Sequence, residues 1–257
     1  WDYLRLEESS RRLFVSNGTR VAVLDIDAGR VLGEIADTQG VHGIAFAPEL
    51  NRGFTSNGRT NDVTIFDLKT LQPLSRVSTG QNPDSIVYEP KSGRVFTFNG
   101  RSNDSTAIDA RTGEVAGAIP LGGKPEFSVA DGTGRIYVNV ENTSEVVVLD
   151  AQKLRVVRRS SLAPCEEPTG LAMDLKQRRL FSVCGNKLMA VTDADSGKVL
   201  ATVPIGAGTD GAGFDPGTGL AFSSNGGDGT LTLVREVKGK YEAVETVPTG
   251  RGSRTMT

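Results

Sequence analysis

Little in this 257-residue chain suits a membrane span, a nucleic-acid surface or a helical bundle. No apolar run approaches the ~18–20 residues that a spanning helix needs. Lysine and arginine (29) do not outnumber aspartate and glutamate (31), and a formal net charge of −2 argues against binding driven by phosphate contacts. There is one histidine and there are two cysteines. No zinc-ligand spacing, nucleophile elbow, phosphate-binding loop or dinucleotide fingerprint is present. No helical period of useful length runs through the apolar residues. No secretory leader is visible, but Trp1-Asp2-Tyr3 already reads as strand, so the native start is expected upstream. Aromatics are few at 6%, whereas glycine is plentiful at 31 residues, a balance that suits an all-β protein with many tight turns.

What is present is one repeated pattern. An aromatic opens one strand of every unit at Phe14, Phe54, Phe96, Tyr137, Phe181 and Phe222, a recurrence every 40–44 residues. About a dozen residues later an apolar run ends in Asp25, Asp67, Asp109, Asp150 and Asp193; the sixth unit breaks the rule with Val234-Arg235. The third unit divides into four short strands, Pro83–Tyr88, Arg94–Phe98, Ser105–Ile108 and Glu114–Pro120, separated by turn residues. Four strands per ~40-residue unit is the WD40-like signature of a β-propeller, in which stacked four-stranded blades bury one another's faces around an axis. The units fall at 1–39, 40–79, 80–121, 122–163, 164–205 and 206–249, within a single propeller domain, and 252–257 reads as the first strand of a further blade.

The second strands open Phe14-Val15-Ser16-Asn17, Phe54-Thr55-Ser56-Asn57 and Phe222-Ser223-Ser224-Asn225. These tetrads resemble the Tyr-Val-Thr-Asn tetrad of the YVTN-repeat β-propeller family. Phe96-Thr97-Phe98-Asn99 is looser, Tyr137-Val138-Asn139-Val140 shifts the Asn by one, and Phe181-Ser182-Val183-Cys184 loses it. The resemblance covers the whole chain. It implies seven blades in the full protein, of which this sequence holds six and one strand, and it implies export. It implies little about activity.

In a propeller the first strands line the central channel, and the loops at one end of it carry function. Aligned first strands present Asp2, His42, Asp84, Glu126, Thr169, Asp210 and Arg254 to the channel, six of them ionisable. Glu166 and Glu167 stand just before Thr169. Arg59 and Arg101 sit in matching Asn-Gly-Arg-x-Asn-Asp loops on the same side, where each is expected to pair with a nearby acid, Asp62 or Asp104, or else to grip an anion. The tetrad asparagines read first as turn formers, the repeat aromatics as core, and the repeated aspartates as caps of turn N–H groups. Cys165 and Cys184 fall at the same end of the fifth unit. A disulfide between them would close a loop of about twenty residues, worth roughly 3 kcal/mol, and would mark a periplasmic or secreted protein.

The leading expectation is a non-catalytic binding or interaction module. His42, Asp84, Glu126, Glu167, Asp210 and Arg254, with Arg59 and Arg101, would take a small polar ligand, a cation or a protein partner. No cofactor is certain. A divalent cation held by Asp84, Glu126 and Asp210 is the option that would turn the same mouth into a lactonase-like hydrolase, with His42 as general base. An accessory subunit of a redox assembly is the third reading. A water-filled pore mouth with no ligand accounts for the same charges.

Overall fold

The computed structural model describes residues 2–257; Trp1, placed in a strand by the sequence reading, lies outside the described residues. The chain forms six four-stranded antiparallel sheets, each in simple sequential order. The first blade is β1 (Leu4–Glu7), β2 (Arg12–Asn17), β3 (Arg20–Asp25) and β4 (Arg30–Ile35). The second is β5 (Val41–Ala47), β6 (Arg52–Asn57), β7 (Asp62–Asp67) and β8 (Pro73–Ser78). The third is β9 (Pro83–Glu89), β10 (Arg94–Asn99), β11 (Asp104–Asp109) and β12 (Val115–Pro120). The fourth is β13 (Pro125–Ala130), β14 (Arg135–Val140), β15 (Glu145–Asp150) and β16 (Arg155–Ser161). The fifth is β17 (Pro168–Asp174), β18 (Arg179–Cys184), β19 (Leu188–Asp193) and β20 (Val199–Pro204). The sixth is β21 (Thr209–Asp215), β22 (Leu220–Asn225), β23 (Thr230–Val237) and β24 (Lys240–Pro248).

Each sheet is apolar on both faces of its middle strands, so it is stable only between neighbours. Phe14, Phe54, Phe96, Tyr137 and Phe181 are all buried, and each points from its second strand toward the next blade. Phe14, for example, lies 4.8 Å from the Phe46 ring and 6.1 Å from that of Phe66 in the second blade. Phe222 is only half-buried, because among the described residues no sheet follows the sixth. The repeated aspartates behave as turn caps: Asp67 accepts from the Lys69 and Thr70 N–H groups, and Asp109 from those of Arg111 and Thr112. The sheets' outer edges are blunted by bulges on the fourth strands, which leave Leu32, Leu74, Val157, Leu200 and Val244 exposed.

The tetrad asparagines differ from the turn-forming expectation. Asn57, Asn99 and Asn225 are fully buried, and none has the positive φ of a turn residue. Asn99 accepts from Thr97 Oγ1 (3.0 Å) and donates to Asp104 (2.7 Å) and Thr106 (3.0 Å); Asn57 repeats this with Thr55, Asp62 and Thr64. Each amide ties the ends of the second and third strands together, which a β-conformation permits and an αL turn would not. Positive φ falls instead on Asn51, Asn61, Asn82 and Asn103.

In the fifth blade this tie is replaced. Cys184 stands where Asn99 and Asn225 stand, and Cys165 where Gly80 and Gly206 stand. A Cβ at Gly80 would come within 2.6 Å of Asn99 Nδ2, and one at Gly206 within 2.7 Å of Asn225 Cβ. The two positions are thus already in contact in the asparagine blades. The paired change to cysteine closes a disulfide with Cα atoms 5.8 Å apart. Residues 252–257 carry no strand, contrary to the expectation from sequence. They run extended beside β21, but a first strand takes its ladder from the second strand of its own blade, and among the described residues none is there.

Asn99→Ala is expected to lower unfolding free energy by about 2–3 kcal/mol, since it leaves Asp104 and Thr97 without their buried partner. The double change Cys165→Ala, Cys184→Ala is expected to lower it by about 3 kcal/mol. Urea denaturation measures both, and an unshifted midpoint would contradict the tie or the covalent substitute.

Candidate functional site

The channel mouth is built by a bulge that recurs in every blade. In the second to sixth blades two first-strand residues oppose one second-strand residue. His42 and Gly43 face Ser56; Asp84 and Ser85 face Phe98; Glu126 and Phe127 face Asn139. Thr169 and Gly170 face Val183; Asp210 and Gly211 face Ser224. Asp2 and Tyr3 bracket Ser16 through backbone bonds in the same way. The first residue of each pair is the channel residue, ionisable in every blade but the fifth, where it is Thr169, so the bulge aims it at the axis.

The opposing side chain then reaches the next blade. Ser16 donates to the His42 carbonyl, Ser56 to that of Asp84 and Ser224 to that of Arg254. Ser56 and Ser224 also accept the N–H of Gly43 and Gly211. Asn139, shifted by one in its tetrad, takes the serine's place and donates to the Thr169 and Gly170 carbonyls at 3.0 Å. Gly43, Gly170 and Gly211 are needed for this closeness: a Cβ there would lie 3.0, 2.4 and 3.0 Å from the carbonyl oxygens of Asp84, Asp210 and Arg254. The Ser224 contact places Arg254 as the equivalent of His42 and Asp84, although no strand forms there.

The ring brings the sequence-derived residues into three pairs. His42 Nδ1 bonds Asp2 and lies 4.0 Å from Asp84; Arg254 Nε lies 3.4 Å from Asp210; Glu126 is bridged at 2.7 Å by Lys124, which also holds Glu141. Lys124 was not among the sequence candidates, though its place two residues before Glu126, just ahead of β13, was a usable signal. Beneath the ring the second bulge residues include two aromatics. Tyr3 and Phe127 stack at 4.8 Å from opposite sides of the channel and floor the mouth. Below that floor the channel holds about 730 Å³, lined largely by apolar first-strand residues. These aromatics were also missed, although every other blade has Gly or Ser at that register.

Four carboxylates share this space with three cations. Burial raises Asp210 to about 6 against the pull of Arg254, with Asp2 and Asp84 adding to the rise. Burial raises Glu126 to about 7 despite Lys124. Asp84 is raised by burial, opposed chiefly by His42, although a quarter of its side chain still meets solvent at the bottom of an open cup. Burial works to lower His42, but the Asp2 hydrogen bond and the charges of Asp84 and Glu126 outweigh it, so its net shift is upward. The Tyr3 hydroxyl is raised by burial and by Asp84, Asp2, Glu126 and Asp210. It is fully buried and faces Asp84, yet makes no hydrogen bond of normal geometry among the described residues.

Other candidates lie outside the ring. Glu167 is exposed, and Thr169 holds the inward position. Arg59 and Arg101 are exposed and, among the described residues, form no ion pair; of the acids expected to pair with them, Asp62 and Asp104 each bond an asparagine, and Asp62 lies 3.9 Å from Arg76 instead. Asp84, Glu126 and Asp210 come from the third, fourth and sixth blades. Among the described residues no three His, Cys, Asp or Glu side chains gather closely enough to hold a metal ion.

The folded state binds protons more tightly than the unfolded chain at Asp210, Glu126 and His42. Stability contributed by the protonated forms is therefore lost as pH rises from about 4 through 7. Asp210→Asn is expected to add roughly 1–2 kcal/mol at pH 8 after allowance for partial solvation, and nothing at pH 4. Thermal unfolding of both proteins at the two pH values measures this; an equal gain at both would show that Asp210 is not charge-strained.

No family model matches the sequence, and no curated protein matches it. Solved structures do. The chain is similar to a chain of the mitotic checkpoint complex (TM-score 0.83, 16% identity, 97% of this chain and 78% of that one). It is similar to U3-55K (TM-score 0.84, 8% identity, 98% and 83%). It is also similar to hydrazine synthase of Kuenenia stuttgartiensis (TM-score 0.62, 16% identity, 91% and 95%). At such identities the likeness carries architecture alone: the chain has the β-propeller fold of WD40 type, built from four-stranded blades.

Proposed function

We propose that the protein is a non-catalytic binding module whose ligand-binding face is the channel mouth, and that it works in an oxidising compartment such as the periplasm or the cell exterior. The observation that carries the first part is the crowding of Asp2, Asp84, Glu126 and Asp210 at one mouth, with protonation shifted upward at Asp84, Glu126 and Asp210. Converging like charges of this kind are relieved by a bound partner. The Cys165–Cys184 bond supports the second part. The tetrads support placing the chain with the YVTN-repeat propellers, which is part of the same reading. Arg59 and Arg101 stand on the same face, and serve as an outer contact for a partner's acidic groups.

The hydrolase reading is weaker on one count. The acids offered for a metal do not converge.

A library of small polar molecules and peptides screened by thermal shift tests the assignment. Stabilising hits are expected to be lost in Asp84→Asn, Asp210→Asn and kept in Leu74→Ser, a change on the outer edge. Hits indifferent to the ring substitutions would place binding elsewhere. Turnover of lactones or esters that disappears in His42→Ala would restore the hydrolase.

A further inference from the structure

We propose that the channel mouth is a receptor for a primary ammonium group, seated on Asp84 and the Tyr3 hydroxyl above the Tyr3–Phe127 stack. This deepens the binding-module reading and rests on it. Three observations select the ligand class. The first is charge. Asp2, Asp84, Glu126 and Asp210 face His42, Lys124 and Arg254, and each of those cations is already engaged: His42 with Asp2, Lys124 with both Glu126 and Glu141, Arg254 with Asp210. Asp84 is the acid left over, with His42 no closer than 4.0 Å. The acids of the mouth, with Glu141 also drawing on Lys124, outnumber its cations, so the ring carries excess negative charge that a cation relieves.

The second is the Tyr3 hydroxyl. It is buried at the base of the ring, and its one polar neighbour is Asp84, through a contact short of normal hydrogen-bond geometry among the described residues. With its proton turned to Asp84, its oxygen is left as an acceptor, and an ammonium N–H satisfies it while also meeting the Asp84 carboxylate. An anion or a neutral acceptor would do neither. The third is the floor. Two aromatic rings stacked at 4.8 Å close the cup with an apolar base, which suits an organic cation better than a fully hydrated metal ion. A divalent metal is a poorer match, because it requires six to eight converging oxygens and no three acidic or histidine side chains converge here among the described residues.

The occupancy is coupled to pH with a definite sign. The titratable groups around the seat are Asp2, Tyr3, His42, Asp84, Lys124, Glu126, Asp210 and Arg254 on the inner strands and the segments entering them, and Glu141 after β14. Acidification protonates Glu126 and Asp210 and charges His42, so the seat loses negative charge and releases the cation.

Titration calorimetry with cadaverine and with an Nα-blocked lysine amide, at pH 8 and pH 5, tests the proposal; the two probes separate a free amine from a lysine side chain. Both are expected to bind at pH 8 and to bind at least about tenfold more weakly at pH 5. Asp84→Asn should abolish binding. Tyr3→Phe keeps the ring stack and should weaken binding several-fold without unfolding the protein. Pentanol and tetramethylammonium, which lack the charge or the N–H donors, should not bind. Equal binding of pentanol, tighter binding of Ca²⁺, insensitivity to Tyr3→Phe, or no heat with either amine at millimolar concentration would overturn the ammonium assignment. If other library compounds are still lost in the ring variants, the mouth remains the binding face and only the ligand class falls; if nothing depends on the ring, both readings fall together.

Discussion

The contact on which the rest depends is the reach of one second-strand side chain into the next blade. Ser16, Ser56 and Ser224 each stand opposite a two-residue bulge in their own first strand and donate to the backbone carbonyl of the following one. The bulge would otherwise leave backbone groups unpaired near the axis, where few waters reach. The serine satisfies them and sets the spacing between blades. Because that carbonyl belongs to the channel residue itself, blade packing and site geometry are one constraint.

The exceptions follow the same logic. Phe98 replaces the serine in the third blade, and the Ser85–Ser128 hydrogen bond at 2.8 Å ties the third and fourth blades instead. Asn139 takes over in the fourth. In the fifth, Val183 has no polar atom, and Thr169 Oγ1 lies 3.4 Å from the Thr209 carbonyl. One polar tie per junction survives each substitution, which is what a ring of stacked sheets needs to hold its register. The same economy explains the disulfide, which in the fifth blade stands in for the asparagine tie of the second, third and sixth.

Burial of charge gives the mouth its character. The bulges drive ionisable side chains inward to a place where the aromatic floor shuts off water from one side. The acids respond by holding protons to higher pH, and His42 does so too because its neighbours are acids. A surface ring of the same residues would show neither effect, since solvent would screen it. The strain is therefore a product of the propeller geometry, and it is what makes a small cation the natural complement.

The six-unit repeat, the core aromatics, the aspartate caps and the inward register of Asp2, His42, Asp84, Glu126, Asp210 and Arg254 are legible in the sequence, because local pattern and strand period decide them. The role of the tetrad asparagines was misread, since a side chain that bridges two strands looks in sequence like one that bonds its own turn. Tyr3 and Phe127 went unseen because they lie far apart along the chain, and Lys124 because only one of its two acids, Glu126, is near it in sequence. The sequence alone determined which residues face the axis; only the closing of blades around it decided which of them meet, which acid is left without a close cation, and that the Tyr3 phenol lies buried beside that acid. Those are matters of distance between blades, and no spacing along one chain encodes them locally.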